Sequence, residues 1–314
     1  MLDAVRHLAS FAGFAAQRQR RERHDAAVLR ELNAAPLPLP AGLELQWLGT
    51  AGYRLSYEGQ AIYIDPYLSR VSLRGLLGRA PAGPDAAVLA RLLPSKEQEN
   101  VVGVLVGHCH FDHAIDAPAI AKRHRAPAYG SPSLARLMAL HGAPELAVQV
   151  RAHRRYELGP FTVRFVPSCH SKLVLGYSVP FDGEFSCEHL DALSPAAYKC
   201  GQVWAIHIEV AGFSFYHQGS ANLIDEEVPG GGVDVFLAGI AGRRFTRDYW
   251  PRILRRLQPR LIVASHFDDF FRPLDAPPGF SGNVNLAALP EEIGKVSREF
   301  GVATLRPLQR VRGS

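Results

Sequence analysis

An apolar run that ends directly before three histidines and an aspartate is the feature that most constrains this chain. Residues 101–106 read Val-Val-Gly-Val-Leu-Val, a pattern typical of a buried β-strand. The next seven residues contain His108, His110, Asp112 and His113. In extended backbone alternate side chains share a face, so His108 and His110 can converge on one point. The other two side chains lie past the bend and face a neighbouring point. Because each buried imidazole needs a polar partner, we predict a metal site here rather than ordinary packing.

Two further histidines occupy the same kind of position, directly after other strand-like runs. His170 follows residues 161–169, and His266 follows residues 261–265. Strand ends that meet at one edge of a sheet gather their side chains there. Two imidazoles from the first motif and a third from elsewhere would leave an open coordination position, which suits catalytic zinc, with manganese or iron as alternatives.

The rest of the chain predicts a layered α/β domain. Its 314 residues are 47% hydrophobic and 21% charged, which excludes disordered and fibrous proteins and allows one large domain or two small ones. Strand patterns that first meander and then alternate with helices favour sheets inside and helices outside. The predicted strands cover 43–48, 53–57, 61–65, 101–106, 161–166, 203–210, 213–217, 233–238 and 261–265, and the predicted helices cover 85–92, 117–124, 131–141 and 246–257.

The N-terminal 40 residues read as a separate appendage. Residues 1–33 show helical spacing of apolar side chains, interrupted by an arginine-rich turn near residues 18–23. The Pro-Leu-Pro-Leu-Pro run at 36–40 forbids helix and predicts a stiff linker. We therefore predict an appendage over 1–40 and a main domain over 41–314. Packing on that domain or on a partner is the favoured role of residues 1–33, and peripheral contact with a membrane surface is the alternative.

Charge and cysteine content narrow the partners and the compartment. The net charge is +5, but the basic residues are spread along the chain, so we expect no nucleic-acid partner and only a weak preference for an anionic small-molecule substrate. Four cysteines are too few for a disulfide framework, which favours a reducing compartment. No signal-peptide pattern and no membrane-spanning apolar stretch is visible, and we expect a cytoplasmic protein. The oligomeric state stays open.

The chain resembles the metallo-β-lactamase superfamily through its His-x-His-x-Asp-His motif at 108–113 and the ordered later histidines, from about Leu43 to about Arg272. Its opening over 47–53, followed by Ile-Tyr-Ile-Asp-Pro at 62–66, is similar to the branch containing L-ascorbate-6-phosphate lactonase and N-acyl-phosphatidylethanolamine-hydrolysing phospholipase D. The resemblance implies a four-layer αββα sandwich. It also implies a hydrolase in which metal-bound hydroxide attacks an ester, lactone or phosphodiester.

The same resemblance implies the roles of individual residues. His108, His110 and His170 would hold one metal, and Asp112, His113 and His266 would hold a second. Asp112 is also the candidate catalytic group, which would orient the attacking water or take its proton. Asp65 resembles the carboxylate that orients a ligand imidazole, and the alternative is a turn-forming aspartate before proline.

One position departs from the family pattern. Ser220 stands where the family supplies an aspartate that bridges the two metals, and a neutral hydroxyl cannot offset two divalent charges, so the second site should be weaker or empty. Asn222 or Asp225 is a candidate to compensate, although loop position and helix capping explain both equally well. His217, near the same turn, is either a proton shuttle or a strand histidine bonded to its neighbours.

A polar segment over 181–200 is inserted between two core strands and is predicted to cover the site. It supplies three candidate substrate contacts, His189, Tyr198 and Lys199. Arg243 is a candidate contact for an anionic leaving group, and a solvated surface pair with Arg244 is the alternative. Two other functional classes remain as rivals: a binding or scaffold protein with a vestigial metal site, and a metal-dependent oxidoreductase.

Overall fold

Two seven-stranded sheets form the centre of the protein in a computed structural model, which describes residues 18–95, 97–174, 176–276, 279–282 and 284–314. Within this part of the chain the strands are β1 (Glu44–Gly49), β2 (Gly52–Tyr57), β3 (Gln60–Ile64), β4 (Asn100–Leu105), β5 (Ala128–Gly130), β6 (Ala147–Gln149), β7 (Arg155–Leu158), β8 (Phe161–Pro167), β9 (Trp204–Val210), β10 (Phe213–Gln218), β11 (Val233–Gly239), β12 (Pro259–Ser265), β13 (Gly301–Thr304) and β14 (Arg310–Arg312).

The two sheets share one plan. The first has the order β14-β1-β2-β3-β4-β5-β6, and the second has the order β13-β12-β11-β10-β9-β8-β7. In each sheet four neighbouring strands pair antiparallel, and the pairing becomes parallel from β3 or from β10 onward. Parallel strands bring their carboxyl ends to the same edge of a sheet, which is where ligand sites form in α/β proteins. The segments that follow β3, β4, β10 and β12 are therefore brought together.

The helices are α1 (Arg18–Asn33), α2 (Leu73–Gly78), α3 (Ala86–Leu92), α4 (Phe111–Ala114), α5 (Ala117–His124), α6 (Pro132–Leu140), α7 (Tyr249–Leu257) and α8 (Leu289–Gly294). Their ends follow ordinary capping chemistry: the side chain of Asp85 accepts from two backbone N–H groups at the start of α3, and Ser131 accepts from Leu134 N at the start of α6. Helix α7 buries Trp250, Ile253 and Leu257 on one side, which is the spacing of a helix that covers a sheet.

The apolar core divides into two clusters. One takes side chains from both sheets, such as Trp47, Leu55, Phe165, Ile206 and Phe236, and also from the helices α7 and α8. The other lies under the helices that cover the first sheet. Each fully buried large side chain contributes about 1.5–3 kcal/mol through removal of apolar surface from water. Helices, two sheets and further helices make the predicted αββα sandwich, and the predicted fold class is confirmed.

All nine predicted strands are present with ends within two residues of the prediction, and the predicted helix 117–124 matches α5. The predicted arginine-rich turn near 18–23 is wrong, because these residues form the first turns of α1. Arginine, glutamine and glutamate are good helix formers, and no glycine or proline interrupts them. The earlier part of the predicted N-terminal helix, residues 1–17, lies outside the described residues.

Helix α1 packs against the second sheet. Asp25 accepts a hydrogen bond from Ala287 N at 2.7 Å, and Thr304 donates to Asn33 at 2.6 Å. Leu32 and Leu39 are buried in the apolar cluster that contains side chains of both sheets. Residues 18–40 thus share a core with the main domain, and the division of the chain at residue 40 stays a prediction. None of the described helices is long and apolar enough to cross a bilayer.

Candidate metal centre

Four histidine rings surround one point at the edge of the first sheet. The His108 ring lies 3.8 Å from the His113 ring and 4.9 Å from the rings of His110 and His170, measured between centroids. Three of these rings, those of His108, His110 and His113, come from the segment after β4, and His170 comes from the segment after β8. His266 follows β12, and its ring lies 5.5 Å from that of His113. Residues far apart in sequence are therefore gathered at one edge.

The ligand-type side chains form two adjoining groups. In the first group, His108, His110 and His170 each offer one ring nitrogen, and these atoms lie within 4.8 Å of one another. The second group contains Asp112, His113 and His266, with the same limit on their separation. All six residues are buried. These are the same two sets of three that the resemblance implies, and the structure brings all six together.

Main-chain carbonyls fix two rings of the first group. His110 Nε2 donates to the carbonyl of Pro180 at 2.8 Å, and His170 Nδ1 donates to the carbonyl of Ser171 at 2.7 Å. A ring nitrogen that donates to a carbonyl carries the proton, so the other nitrogen keeps its lone pair. Each imidazole is thus held in the form that can bind a metal.

Asp65 anchors the second group. Its Oδ2 accepts from His113 Nδ1 and from His217 Nε2, each at 2.9 Å, and its Oδ1 accepts from Gly107 N at 2.6 Å. Two glycines allow this close approach: a Cβ on Gly219 would lie 2.7 Å from Asp65 Oδ2, and one on Gly107 would lie 3.3 Å from the same atom. Asp65 therefore orients a candidate ligand, which favours the first of its two sequence-based interpretations.

His266 is held by a second carboxylate that the sequence did not indicate. Its backbone N donates to Thr50 O at 2.8 Å, and Thr50 N donates to both oxygens of Asp268 at 3.0 and 3.1 Å. Arg70 pairs with Asp268 at 2.9 Å and also donates to the Thr50 hydroxyl. Thr50 and His266 both have positive φ, at 49° and 59°, which costs backbone strain in residues other than glycine. The only local sign of this contact is an aspartate two residues after His266.

Burial and neighbouring charges shift the pKa values of the site residues in opposite directions. Burial lowers the pKa of His110 to about 4 and that of His170 to about 3. Burial also acts to lower the pKa of His113, but Asp112 and Asp65 outweigh it and the pKa is raised. Burial raises the pKa of the Asp112 carboxyl, yet His113 and His266 reverse this and hold that pKa below its usual range.

The donor set fits a divalent metal ion. His108 Nε2 and His266 Nδ1 are buried without a hydrogen-bond partner in the described residues, which is costly unless something else binds the ring. Imidazole nitrogens with one carboxylate are ligands that zinc, manganese and iron all accept, so the set does not choose among them. One or two ions could be held by these two groups of three residues, which we call the two triads.

A family model described as a beta-lactamase superfamily domain matches residues 44–266, which is most of the chain. The chain belongs to the metallo-β-lactamase superfamily. It is 28% identical over 202 residues to a UPF0173 metal-dependent hydrolase of Cupriavidus taiwanensis, covering 62% of this chain and 63% of that relative. A UPF0173 metal-dependent hydrolase of Anaeromyxobacter sp. is 28% identical over 76% of this chain and 79% of its own length. The chain therefore groups with proteins named metal-dependent hydrolases.

Solved structures show the same fold at low identity. Igni18, a metallo hydrolase from Ignicoccus hospitalis, aligns with a TM-score of 0.51 at 14% identity, covering 86% of this chain and 97% of that one. CmlA, a diiron β-hydroxylase from Streptomyces venezuelae, aligns with a TM-score of 0.53 at 15% identity, covering 88% and 55%. One superfamily fold thus carries both hydrolytic and oxidative enzymes, and the fold alone does not choose the reaction.

Ser220, which the resemblance places where the family supplies a bridging aspartate, is bonded to another serine. Ser220 Oγ accepts from Ser171 N at 3.1 Å and lies 3.1 Å from Ser171 Oγ. Asn222 does not compensate, because its side chain donates to His170 O and accepts from Leu223 N. Asp225 does not compensate either, since it pairs with Arg252. His217 is fully buried and bonded to Asp65, in agreement with its interpretation as a strand histidine.

Two proposed substrate contacts are occupied by structural bonds. Tyr198 is fully buried, and its hydroxyl donates to Ala82 O at 2.9 Å. Arg243 is buried rather than solvated, and it binds Glu292 at 2.7 Å and the carbonyl of Asn285 at 2.5 Å. Both expectations are wrong, because partners distant in sequence take up the polar groups. His189 is exposed, and Lys199 is half-buried.

The insert over 181–200 is tied to the site at both ends. Pro180, directly before it, accepts from His110, and Cys200 O accepts from Cys109 N at 2.9 Å. The Phe181 ring lies edge-on to His110, at 6.3 Å between centroids. The insert therefore borders the metal centre, and Lys199 directly precedes one of its two anchors.

Proposed function

We propose that this protein is a hydrolase of an anionic ester, lactone or phosphodiester, and that it depends on a divalent metal, most simply zinc. The observation that carries the proposal is the pair of buried triads, in each of which the three ligand atoms lie within 4.8 Å of one another. The similarity to proteins named metal-dependent hydrolases supports the reaction class.

The first ion would be held by His108, His110 and His170, and the second by Asp112, His113 and His266. When bound, a divalent cation polarises the scissile group and lowers the pKa of water to about 7. Because the Ser220 hydroxyl carries no charge, we propose that the second position is filled less completely than the first.

The protein's own groups would then orient the reactants. Asp112 Oδ2 lies 3.6 Å from His113 Nε2 and 3.3 Å from His266 Nε2, so it sits at the junction of the two groups. A carboxylate there can orient a water molecule and accept its proton. Asp65 holds His113 with the proton on Nδ1 and thereby keeps Nε2 turned toward the site.

The insert supplies the proposed substrate contacts. Lys199 lies in the insert directly before the anchor at Cys200, and Lys172 lies outside the insert, two residues after the candidate ligand His170. An ammonium group at the mouth of the site would favour a negatively charged substrate and raise its local concentration. His189 is kept as a second proposed contact. All four cysteines are unpaired, which supports the proposal that the protein acts in the reducing cytoplasm.

A hydrolysis screen over phosphodiesters, lactones and carboxylic esters, run with and without a chelator, tests the reaction class. We expect turnover that the chelator abolishes and that added zinc or manganese restores. Turnover that is insensitive to the chelator would contradict the metal-dependent mechanism. Once a substrate is found, Lys199→Met should raise KM about tenfold with little change in kcat, because it removes binding charge rather than reacting groups. Arg23→Met, on the exposed side of α1, is the matched control.

A further inference from the structure

An apolar cavity lies where α1 meets the second sheet, behind the segment that carries His266. Its volume is about 450 Å³, within the size range of small-molecule sites. The walls are mostly apolar and come from distant parts of the chain, with Leu29 on α1, Trp47 on β1, Phe267 and Phe280 in the segment after β12, and Leu305 after β13. None of the six proposed metal ligands lines it.

Positive charge surrounds this cavity. Arg30, Arg272 and Arg306 line it, each is exposed, and no carboxylate of the described residues lies within ion-pair distance of any of the three. Arg70 also lines it but is paired with Asp268. Four arginines against two aspartates, Asp268 and Asp269, leave the lining with a net charge of +2.

The three unpaired guanidinium groups belong to three separate parts of the fold. Arg30 is on α1, Arg272 follows His266 by six residues, and Arg306 follows β13. Their convergence on one apolar cavity is therefore not the accident of a single basic run in the sequence. Guanidinium groups bind carboxylates and other oxyanions through paired N–H donors, while an apolar cavity favours an apolar body.

We propose that this cavity binds a small amphipathic carboxylate, with its apolar chain among the aromatic side chains and its head group among Arg30, Arg272 and Arg306. This assignment gives helix α1 a role, since Leu29 and Arg30 supply one wall of the site. It does not depend on the proposed hydrolase function, because the cavity shares no residue with the two triads.

The cavity is also linked to the metal centre through a short chain of bonds. Asp268 lines the cavity and accepts from Thr50 N, and Thr50 O accepts from His266 N. Phe267, between His266 and Asp268, forms part of the cavity wall. A bound carboxylate would act on Asp268 and Arg70, which hold the strained backbone at His266. We therefore expect occupancy of the cavity to change metal affinity, and metal to change carboxylate affinity by the same factor.

Calorimetric titration of the full-length protein with octanoate tests the site. We expect one saturable site per chain and at least about tenfold weaker binding of 1-octanol, which lacks the charge. Arg30→Glu and Arg272→Glu should each weaken octanoate binding at least about tenfold. Arg23→Glu is the matched control, since it makes the same charge change on an exposed part of α1 outside the cavity, and it should bind normally.

The absence of saturable binding, or equal weakening in Arg23→Glu and Arg30→Glu, would overturn the assignment. The use of two variants on separate elements guards against a folding defect in one of them, and circular dichroism reports whether each is folded. Repeating the titration on chelated and zinc-loaded protein tests the link to His266. We expect the octanoate affinity to differ at least about threefold between these states, and identical affinities would overturn the coupling.

Discussion

The two triads lie side by side but are built differently. His108, His110 and His170 form a group of imidazoles alone, and main-chain carbonyls orient two of them. The second group, Asp112, His113 and His266, contains a carboxylate and is supported by two more, Asp65 and Asp268. The first group is thus electrically neutral, whereas the second lies in a field of negative charge.

This difference shows in the pKa values. Burial lowers the pKa of His110 and His170 to about 4 and 3, so both rings are neutral near pH 7. In the second group burial acts to lower the pKa of His113, but Asp112 and Asp65 outweigh it and the pKa is raised. A protein can therefore prepare a metal site either by excluding protons or by attracting positive charge. Only the second way leaves the site dependent on carboxylates such as Asp112 and Asp65.

The largest expected effect is the loss of the first metal. His110→Ala removes one of three imidazoles, so we expect the metal content of purified protein to fall by about one ion per chain and hydrolysis to fall to background. Elemental analysis beside His207→Ala, a strand histidine outside both groups, measures this. Equal metal content in wild type and His110→Ala would remove the proposed first site.

The support of the second group should be tested by Asp65→Asn. The amide keeps the shape but removes the charge that His113 and His217 share, so we expect metal affinity of the second group to fall about 10–100-fold. Competition with a chelator should show a smaller change for the first group. Asp234→Asn, which alters a carboxylate bonded to Ser214, is the control. Equal weakening of both groups would show that the two triads behave as one unit.

Asp116 allows the pH dependence of folding stability to be tested at a carboxyl outside the two triads. It is buried outside both groups and accepts from Leu68 N and Ser69 N. Burial raises the pKa of its carboxyl to about 6. Because the folded pKa is raised, its stabilising contribution is complete below about pH 4 and is lost as the pH rises through 6.

The Asp116→Asn variant should therefore not lose this stability as the pH rises. Between pH 4.5 and 7.5 we expect the unfolding free energy of Asp116→Asn to shift by about 2 kcal/mol relative to wild type, in favour of the variant at the higher pH. Denaturant unfolding of chelated proteins at the two pH values measures this shift. Parallel pH profiles for the two proteins would show that Asp116 is ionised throughout.

The smallest expected effect restores the missing charge. Ser220→Asp adds a carboxylate next to Gly219, where a Cβ would lie 3.0 Å from the His113 ring, and we expect occupancy of the second metal to rise from a fraction toward one per chain. Ser297→Asp, a partly exposed serine after α8, is the control. Unchanged occupancy in Ser220→Asp would mean that this turn does not face the second group.

The pattern at 108–113 could be interpreted without coordinates because its information is local. Strand periodicity predicts where β4 ends, and alternation predicts that His108 and His110 face one way. The same local patterns predicted nine strands, whereas β5, β6, β7, β13 and β14 have only three or four residues each and show too little periodicity to be recognised.

The two wrong substrate contacts have one physical cause, which is the long separation in sequence of the partners that bind them. Tyr198 is bonded to a residue 116 positions earlier, and Arg243 to one 49 positions later. An isolated tyrosine or arginine in a loop carries no sign of such a partner, so both were interpreted as available to substrate. For Asp65 the sequence left two interpretations, and the choice between them came from its bonds to His113 and His217, 48 and 152 positions away.

The amino-acid sequence by itself determined the superfamily, the strand order along the chain and the six metal-binding candidates. The superfamily follows from the resemblance carried by the motif at 108–113, and the strands and candidate ligands follow from periodicity and spacing, which are properties of neighbouring residues. Tertiary structure alone decided that Asp65 supports His113, that Asp268 and Thr50 hold His266, and that Arg243 is unavailable to substrate. Which groups meet depends on how the two sheets and their covering helices pack, and packing is a property of the whole chain.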